Sequence, residues 1–429
     1  MREIGGVMNI GFISTRLAGT DGVTLETIKW AQVCRKLGHN VFFCAGQLDP
    51  ALKPAVLLPE AHFAHPEIVA IQNKAFGVRL RTAETTEQIH AMRRTLKAAI
   101  TEFVRQFSID LLVPQNVLTI PMNLPLGLAL TEFIAETGIH TIAHHHDFYW
   151  ERQRFSVNAV QDILDAAFPP SLPSIRHVVI NTPARRELAQ RKGVPSSLIP
   201  NVFDFDTEPP AADDYGQDLR EQLGLKPDDI LILQPTRVVA RKGIEHAVEL
   251  VRRLKEPRAK LIVSHSAGDE GMEYYKWLGD LAQLEGVDMR FVSNRFSETR
   301  NVDEKGQKIY TLWDIYPHAD LVTYPSVYEG FGNALLEAIY FRKPILVNRY
   351  SVYMLDIEPL GMETITMDGY VTHAVVEHAR QVLKDPELRK RMTDRNFEIA
   401  RKHFSLTVLR RRLHNILETA ESDPKGEFA

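Results

Sequence analysis

The sequence has little cysteine and no long apolar run. Among its 429 residues only Cys34 and Cys44 are cysteines, which excludes a small scaffold built on disulfides and fits a reducing compartment. No stretch reaches the roughly 18 consecutive apolar residues of a membrane-spanning helix. Residues 8–13 form a short apolar segment without the length or cleavage site of a signal peptide, so they predict a strand. We therefore expect a cytoplasmic protein.

Basic residues are not in excess either. The net charge is −4 and the isoelectric point is near 6.5, so no global positive field favours nucleic acid as a partner. A predicted helix over residues 86–107 carries Arg93, Arg94, Lys97 and Arg105, with Glu102 among them. This helix can be interpreted as a membrane-attachment surface or as a solvated face, and we expect no stable membrane binding.

Strand and helix patterns alternate along most of the chain, which is typical of an α/β protein with parallel sheets. Residues 9–14, 23–37 and 40–45 predict a strand, a helix and a second strand. The pattern restarts at residues 230–233, after a linker rich in proline and aspartate at residues 207–217. Residues 50–85 predict irregular structure, and residues 309–318 predict a helix. A chain of 429 residues exceeds one typical core, so two domains or more are expected.

The most informative stretch is residues 324–347, YPSVYEGFGNALLEAIYFRKPILV. It predicts a strand end, a glycine-rich loop and a helix over residues 334–341 with Asn333 as its N-cap. Glu329 then lies in the loop and Glu337 lies inside the helix. The amides at a helix N-terminus suit a phosphate, and flanking carboxylates suit sugar hydroxyls. The stretch thus favours a nucleotide-sugar site, although an ordinary strand–helix unit with solvated carboxylates has the same pattern.

The segment PSVYEGFGNALLEA resembles the E-x7-E signature of family 4 retaining glycosyltransferases, which have the GT-B fold. The resemblance implies that Glu337 holds the ribose hydroxyls of the donor and that Glu329 lies at the transferred sugar. It also implies that the backbone around Phe331, Gly332 and Asn333 contacts sugar hydroxyls and phosphate. The predicted catalytic residues are His146, Glu329, Arg237 and Lys242. The predicted donor-binding residues are Gly22, Arg237, Lys242, Asn294, Glu329, Gly330, Phe331, Gly332, Asn333, Ala334 and Glu337.

A second segment of this resemblance is PTRVVARKG at residues 235–243, about ninety residues before the first. It matches the Arg-x4-Lys loop of the family with Arg237 and Lys242. Two cations after a strand and before a helix form a clamp for a diphosphate, and they can stabilise the charge that develops on it as it leaves. The intervening Arg241 is expected to face solvent. Asn294 occupies the position of the base-binding loop, where the residues depart from the family pattern and leave the base open.

His144, His145, His146 and Asp147 follow a predicted strand at residues 140–143, where open α/β sheets place their ligands. The resemblance implies that a histidine here faces the transferred sugar, with His146 as the best match and His145 as the alternative. Neighbours on an extended chain point to opposite faces, so the three histidines do not predict a metal site. The only D-x-D sequence, residues 204–206, lies in the linker, and we expect no metal.

The loop LAGTDGV after the first strand resembles the glycine-rich loop that borders donor phosphate and acceptor in the family. The predicted acceptor-side residues are Arg16, Thr20, Asp21, His145, Asp147 and Arg152. Arg16 or Arg152 is a candidate to hold an acceptor anion, although either can equally form an internal ion pair. A small, soluble acceptor is expected: a sugar, a sugar phosphate or a hydroxy acid.

The resemblance as a whole implies two Rossmann-like domains that face each other across a cleft, with a C-terminal helix that crosses back to the first domain. Residues 1–200 with the helix at 404–419 are predicted to be the acceptor side, and residues 201–403 the nucleotide-sugar side. The implied activity is transfer of a hexose from an NDP-sugar to a hydroxyl with retention, without metal or added cofactor. A nucleotide-sugar epimerase of the same fold is the alternative. A dinucleotide-dependent oxidoreductase is disfavoured, because no G-x-G-x-x-G follows the first strand.

Overall fold

The computed structural model describes residues 6–19, 21–267 and 272–421, the last three without their side chains. The chain divides into two compact units. The N-terminal unit comprises the described residues up to Asn201 together with those from Leu406 onward, and the C-terminal unit is Val202–Ser405.

Each unit is built on one parallel sheet with helices between the strands. The strands are β1 (Asn9–Ser14), β2 (Asn40–Ala45), β3 (Ala55–Leu57), β4 (Leu111–Pro114), β5 (His140–His145), β6 (Ile175–Val179), β7 (Ser196–Leu198), β8 (Ile230–Gln234), β9 (Ala259–Val263), β10 (Met289–Phe291), β11 (Asn301–Val302), β12 (Lys308–Ile309), β13 (Leu321–Tyr324), β14 (Ile345–Asn348) and β15 (Ile365–Met367). The α-helices are α1 (Gly22–Lys36), α2 (Pro66–Ala75), α3 (Ala83–Gln106), α4 (Leu124–Thr137), α5 (Gln161–Ala167), α6 (Thr182–Lys192), α7 (Leu219–Gln222), α8 (Ile244–Leu254), α9 (Met272–Leu284), α10 (Leu312–Ile315), α11 (Asn333–Tyr340), α12 (His373–Lys384), α13 (Pro386–Phe404) and α14 (Leu406–Glu421).

The sheet of the N-terminal unit has seven strands in the order β3-β2-β1-β4-β5-β6-β7. Its central strands are apolar runs because helices cover both faces of a parallel sheet, and all four residues of β4 are buried. The strand order reverses between β1 and β4. A crevice opens at the carboxyl ends of the strands at such a switch point, and this is where open α/β sheets bind ligands.

The sheet of the C-terminal unit has six strands in the order β10-β9-β8-β13-β14-β15. Its order reverses between β8 and β13, so the loops that follow these two strands lie side by side. The first loop holds Arg237 and Lys242, and the second holds Glu329. The fold therefore places the two segments of the sequence resemblance at one switch point. Two Rossmann-like parallel sheets in an α/β protein confirm the predicted fold class.

The last helix belongs to the N-terminal unit, because α14 packs against α1. Arg412 of α14 donates from Nη1 to the carbonyl oxygen of Leu198 at the end of β7. The return of the C-terminal helix to the first unit, which the resemblance implied, is thus present in the structure.

Some local predictions were wrong. Residues 50–85 contain β3 and α2 in addition to loops, and Ile68, Ile71 and Ala75 of α2 are buried on one helical face. The helix predicted at residues 309–318 is limited to α10 and one 3₁₀ turn, Tyr316–His318, because residues 308–309 pair in β12.

Two cations of the basic helix α3 form ion pairs with carboxylates of α4. Arg93 bonds Glu132, and Lys97 bonds Glu136 and lies 3.3 Å from the second carboxylate oxygen of Glu132. These charges serve packing between helices, which favours the solvated-face interpretation. In the described part of the chain, no helix combines the length and the apolar character that a bilayer crossing requires.

Gly127 offers a test of packing in the N-terminal unit. A Cβ at Gly127 of α4 would lie 2.2 Å from Cζ of Phe168, so Gly127→Ala should destabilise the fold by about 1–3 kcal/mol through overpacking. Gly279 of α9 has no atom within 4 Å of the same position, so Gly279→Ala should stabilise its helix by up to about 1 kcal/mol. Thermal unfolding of both variants measures the difference. Equal midpoints would contradict this account of the Gly127 contact.

Candidate active site

The loops after β8 and β13 dock closely in the C-terminal unit. The amide of Val327 donates to the carbonyl of Arg241 over 2.9 Å, and Arg241 Nη1 donates to the carbonyl of Tyr328 over 3.1 Å. Gly243 has a left-handed backbone with φ of 60°, and a Cβ there would lie 2.6 Å from the carbonyl oxygen of Pro325. Glycine is required at this position for both reasons. The two loops thus form one connected surface at the switch point.

A buried ion pair joins these loops. Lys242 Nζ bonds Glu329 Oε1, and the two side chains are 10% and 9% exposed. Arg241 Nη1 lies 3.1 Å from Glu329 Oε2, so both carboxylate oxygens face a cation. Burial raises the pKa of Glu329, but the charges of Lys242 and Arg241 outweigh it and lower this pKa. Burial lowers the pKa of Lys242, opposed by the charge of Glu329. Glu329 is therefore held as an oriented carboxylate.

Arg241 is exposed, as the sequence pattern predicted, with 41% of its side chain accessible. Its guanidinium nevertheless bonds Glu329 and the backbone of the neighbouring loop. Arg237 is also exposed on the same loop. Sequence reasoning missed the Arg241 contact because the side chain reaches across to a loop that lies far away in the sequence.

His265, just beyond β9, is a further residue that the sequence did not single out. Its Nδ1 lies 3.1 Å from the hydroxyl of Ser264. Burial lowers the pKa of His265 to about 4, and the nearby charges of Lys242 and Arg237 add to this effect. His265 is thus a neutral imidazole beside the cationic loop.

Helix α11 begins beside the ion pair. Gly332 is its N-cap with φ of 124°, and Asn333, predicted to be the N-cap, is the first helical residue. The prediction was wrong by one residue, because Gly332 leaves the helical conformation with a positive φ that favours glycine, while Asn333 already belongs to the helix. Tyr350 donates its hydroxyl to the carbonyl oxygen of Phe331 over 2.7 Å. Phe331 itself is buried.

The remaining donor-side residues lie around this helix and on the loop after β10. Gly330 and Ala334 are partly buried on either side of the turn. Tyr316 donates its hydroxyl to Glu337 Oε2 over 2.9 Å, and burial together with that carboxylate raises the pKa of Tyr316. Asn294 is exposed in a 3₁₀ turn after β10. The Tyr316 contact was missed because it joins the end of α10 to a helix formed by later residues.

The histidines at the end of β5 separate into two groups. His144 Nδ1 lies 2.9 Å from Gln115 Oε1, and His146 Nε2 lies 3.4 Å from the same oxygen. His145 instead bonds His177 of β6, with 2.8 Å between Nε2 and Nδ1. Alternation along the strand causes this division. His146 thus lies on the side of Gln115, at the end of β4, and His145 is engaged with the next strand.

All four histidines are neutral at physiological pH. Burial lowers the pKa of His146 to about 4, although the carboxylates of Asp147 and Asp21 oppose the shift. Burial lowers the pKa of His177 to about 4 and places those of His144 and His145 well below the ordinary value. His146 can therefore donate or accept a hydrogen bond, but it carries no positive charge.

The carboxylates predicted on the acceptor side are engaged in the structure. Asp147 accepts from Asn116 over 2.8 Å and from Arg152 Nε over 2.7 Å. Asp21 caps α1 by accepting from the amides of Val23 and Thr24, and its other oxygen lies 3.2 Å from Arg16 Nη2.

Gly22, predicted to border the donor phosphate, is the exposed first residue of α1. Thr20 lies outside the described residues. Within the described ranges, no group of three or more metal-binding side chains could hold an ion.

Comparisons with known proteins agree with this architecture. The family model "Glycosyl transferases group 1" matches residues 217–398. Mannosylglucosylglycerate synthase from Thermotoga maritima is 32% identical, covering 94% of this chain and 98% of the relative. The enzyme of that name from Petrotoga mobilis is 30% identical over 94% of this chain and 100% of the relative. A glycosyltransferase structure from Rickettsia africae aligns with a TM-score of 0.70 at 13% identity, covering 98% and 100% of the two chains, which concerns the fold alone.

The buried histidines predict a pH-dependent stability. Their pKa is lowered in the folded state, so between pH ~6.5 and ~4 the unfolded chain binds more protons, and stability falls as pH falls. His146 and His177 should each contribute a loss of up to about 1.4 kcal/mol per pH unit in this window, and no loss above it.

Urea unfolding at pH 7, 6 and 5 measures this slope. His177→Asn should flatten it, whereas the same change at the exposed His373 should not. A slope that is the same in the wild type and in His177→Asn would show that folding does not lower the pKa of His177.

Proposed function

This chain belongs to the group 1 glycosyltransferases, and from that premise we propose that it is a family 4 enzyme that transfers a hexose with retention from a nucleoside diphosphate sugar to a small acceptor. The observation that carries the proposal is the buried Lys242–Glu329 pair at the switch point of the C-terminal sheet. A cationic loop, an oriented carboxylate and a helix N-terminus meet there within one unit.

The donor binds to the C-terminal unit in this proposal. Arg237 and Lys242 hold the diphosphate together with the first amides of α11. Glu337, oriented by the hydroxyl of Tyr316, accepts hydrogen bonds from the ribose. Arg237 and Lys242 stabilise the negative charge that develops on the diphosphate as its bond to the sugar breaks. Electrostatic catalysis has its largest effect at this step. A divalent metal is not required for this role.

We assign Glu329 of the C-terminal unit to the transferred sugar, and the family resemblance assigns His146 of the N-terminal unit to the same substrate group. Glu329 is ionised and has both oxygens oriented by cations, so it accepts hydrogen bonds from the hydroxyls of the hexose. His146 is neutral because it is buried, and it acts as a hydrogen-bond partner of the sugar rather than as a cation. No enzymic nucleophile is invoked, since the departing phosphate can take the proton of the acceptor hydroxyl on the same face.

The acceptor is a small hydroxylated anion. The two relatives reported above are named for a product that contains mannose, glucose and glycerate. We therefore propose mannosyl transfer from an NDP-mannose to glucosylglycerate, a glycosylated hydroxy acid. The two free, buried cysteines agree with a cytoplasmic location for this reaction. The relatives and the family support a glycosyltransferase and not the epimerase alternative.

A donor and acceptor screen tests the function. GDP-, UDP- and ADP-mannose and the matching glucose donors are each incubated with glucosylglycerate in EDTA, and release of the nucleoside diphosphate is measured. We expect release that depends on the acceptor, and an α-linked product from an α-linked donor by NMR. An inverted linkage, a new nucleotide sugar without acceptor, or a need for added magnesium would each contradict the corresponding part of the proposal.

Substitution of Lys242 is the most direct single test of the proposed donor site. Lys242→Ala should lower kcat/KM by about 100-fold or more, on the order of 2.7 kcal/mol of transition-state stabilisation. Lys276→Ala, at an exposed position of α9 in the same unit, is the control and should retain activity. Thermal unfolding of both variants separates loss of catalysis from loss of fold. A kcat/KM near that of the wild type in a folded Lys242→Ala protein would remove Lys242 from the mechanism.

A further inference from the structure

We propose that Arg16 recognises the negative charge of the acceptor and selects a single carboxylate over an uncharged group or a phosphate. This inference rests on the proposed function, since it concerns the acceptor of the same reaction. It assigns one specificity-determining residue and a charge class of acceptor.

Arg16 lies directly after β1, at the point where the strand order of the N-terminal sheet reverses. Its guanidinium carbon is 5.4 Å from the centre of the Phe63 ring, and its Nη2 is 3.2 Å from Asp21 Oδ2. The side chain is still 37% exposed. An aromatic face and an ion pair therefore orient the guanidinium while part of it stays accessible at a ligand-binding edge.

The other cations near this edge are more fully engaged. Arg152 bonds Asp147 through both Nε and Nη2. Lys29 lies 2.6 Å from Glu26, whose side chain is only 1% exposed, so moving Lys29 would leave a buried carboxylate without its cation. Within the described residues, Arg16 makes one side-chain hydrogen bond, to Asp21, and its other N–H groups have no partner there. Of these three cations, Arg16 is the one for which the described residues leave several N–H donors without a partner.

The surroundings of Arg16 carry little net charge. Asp21 offsets the guanidinium charge. The adjacent His62 is neutral, because burial and then the charge of Arg16 lower its pKa. A phosphate with a charge of about −1.5 to −2 would be repelled by the Asp21 carboxylate more strongly than a carboxylate, which carries a single charge.

The position of His62 is fixed by close packing. A Cβ at Gly46, just after β2, would lie 2.0 Å from the amide nitrogen of His62, so the loop that holds His62 and Phe63 packs on the end of that strand. The His62 and Phe63 rings stack with 4.3 Å between their centres. The stacked rings of His62 and Phe63 support the guanidinium of Arg16. The planar arrangement of N–H donors in arginine matches a carboxylate, whereas the ammonium group of lysine does not.

The test compares three related acceptors that carry different charged groups. Glucosylglycerate carries a carboxylate, glucosylglycerol has a hydroxymethyl group there, and phosphoglucosylglycerate carries an added phosphate. The wild type should prefer glucosylglycerate to glucosylglycerol by about 10- to 100-fold in kcat/KM, as expected for charge-assisted hydrogen bonds. Arg16→Ala and Arg16→Gln should reduce this preference to about threefold or less. Arg16→Lys should restore only part of it.

Arg105→Ala serves as the matched control, because Arg105 is exposed on α3 and pairs only with Glu102 among the described residues. Unchanged discrimination in folded Arg16→Ala and Arg16→Gln variants would overturn the role of Arg16 while the proposed function stands. A wild-type preference for the phosphorylated acceptor would overturn the selection of a carboxylate. Failure of the wild type to use any of the three acceptors would overturn the proposed function, and this inference with it.

Discussion

The buried pair of Lys242 and Glu329 is the interaction on which the candidate site depends. Transfer of two charges from water to a protein interior costs several kcal/mol per ion, so such a pair adds little net stability compared with apolar residues. Its effect is geometric. Because each charge needs the other, the loops after β8 and β13 are held in one arrangement, which the Gly243–Pro325 approach also requires. The pair thereby fixes where a cation and a carboxylate stand relative to the N-terminus of α11.

The topology of the parallel sheets explains why the candidate functional residues lie on these loops. In each unit the chain leaves a central strand to one side and later returns to the other side, so that the carboxyl ends of β1 and β4, and of β8 and β13, border a crevice. Arg16 and Gln115 follow the first two strands, and Lys242 and Glu329 follow the second two. Residues about ninety positions apart, or more, therefore become neighbours without any local signal between them.

This topology also explains which features of the structure could be predicted from the sequence. The two glycosyltransferase segments and the strands β1 and β2 could be predicted, because apolar periodicity and short motifs are local properties of the sequence. Contacts between segments that are distant in the sequence could not be predicted. Nothing near Arg241 indicates that it reaches Glu329, and nothing near Tyr316 indicates that it bonds Glu337. The N-cap of α11 was misplaced by one residue, since the sequence does not indicate the positive φ that Gly332 adopts at the start of the helix.

The two units differ in the ionisation of their buried side chains, and the difference suits the proposed reaction. The C-terminal unit keeps Lys242 and Glu329 as buried ions, where a diphosphate gains negative charge as it leaves. The N-terminal unit keeps His144, His145 and His146 neutral through burial. A sugar that loses its leaving group becomes cationic, and a protonated imidazole beside it would oppose that change. A neutral histidine can bind sugar hydroxyls without this penalty, so the low pKa of His146 suits the sugar contact that we propose for it.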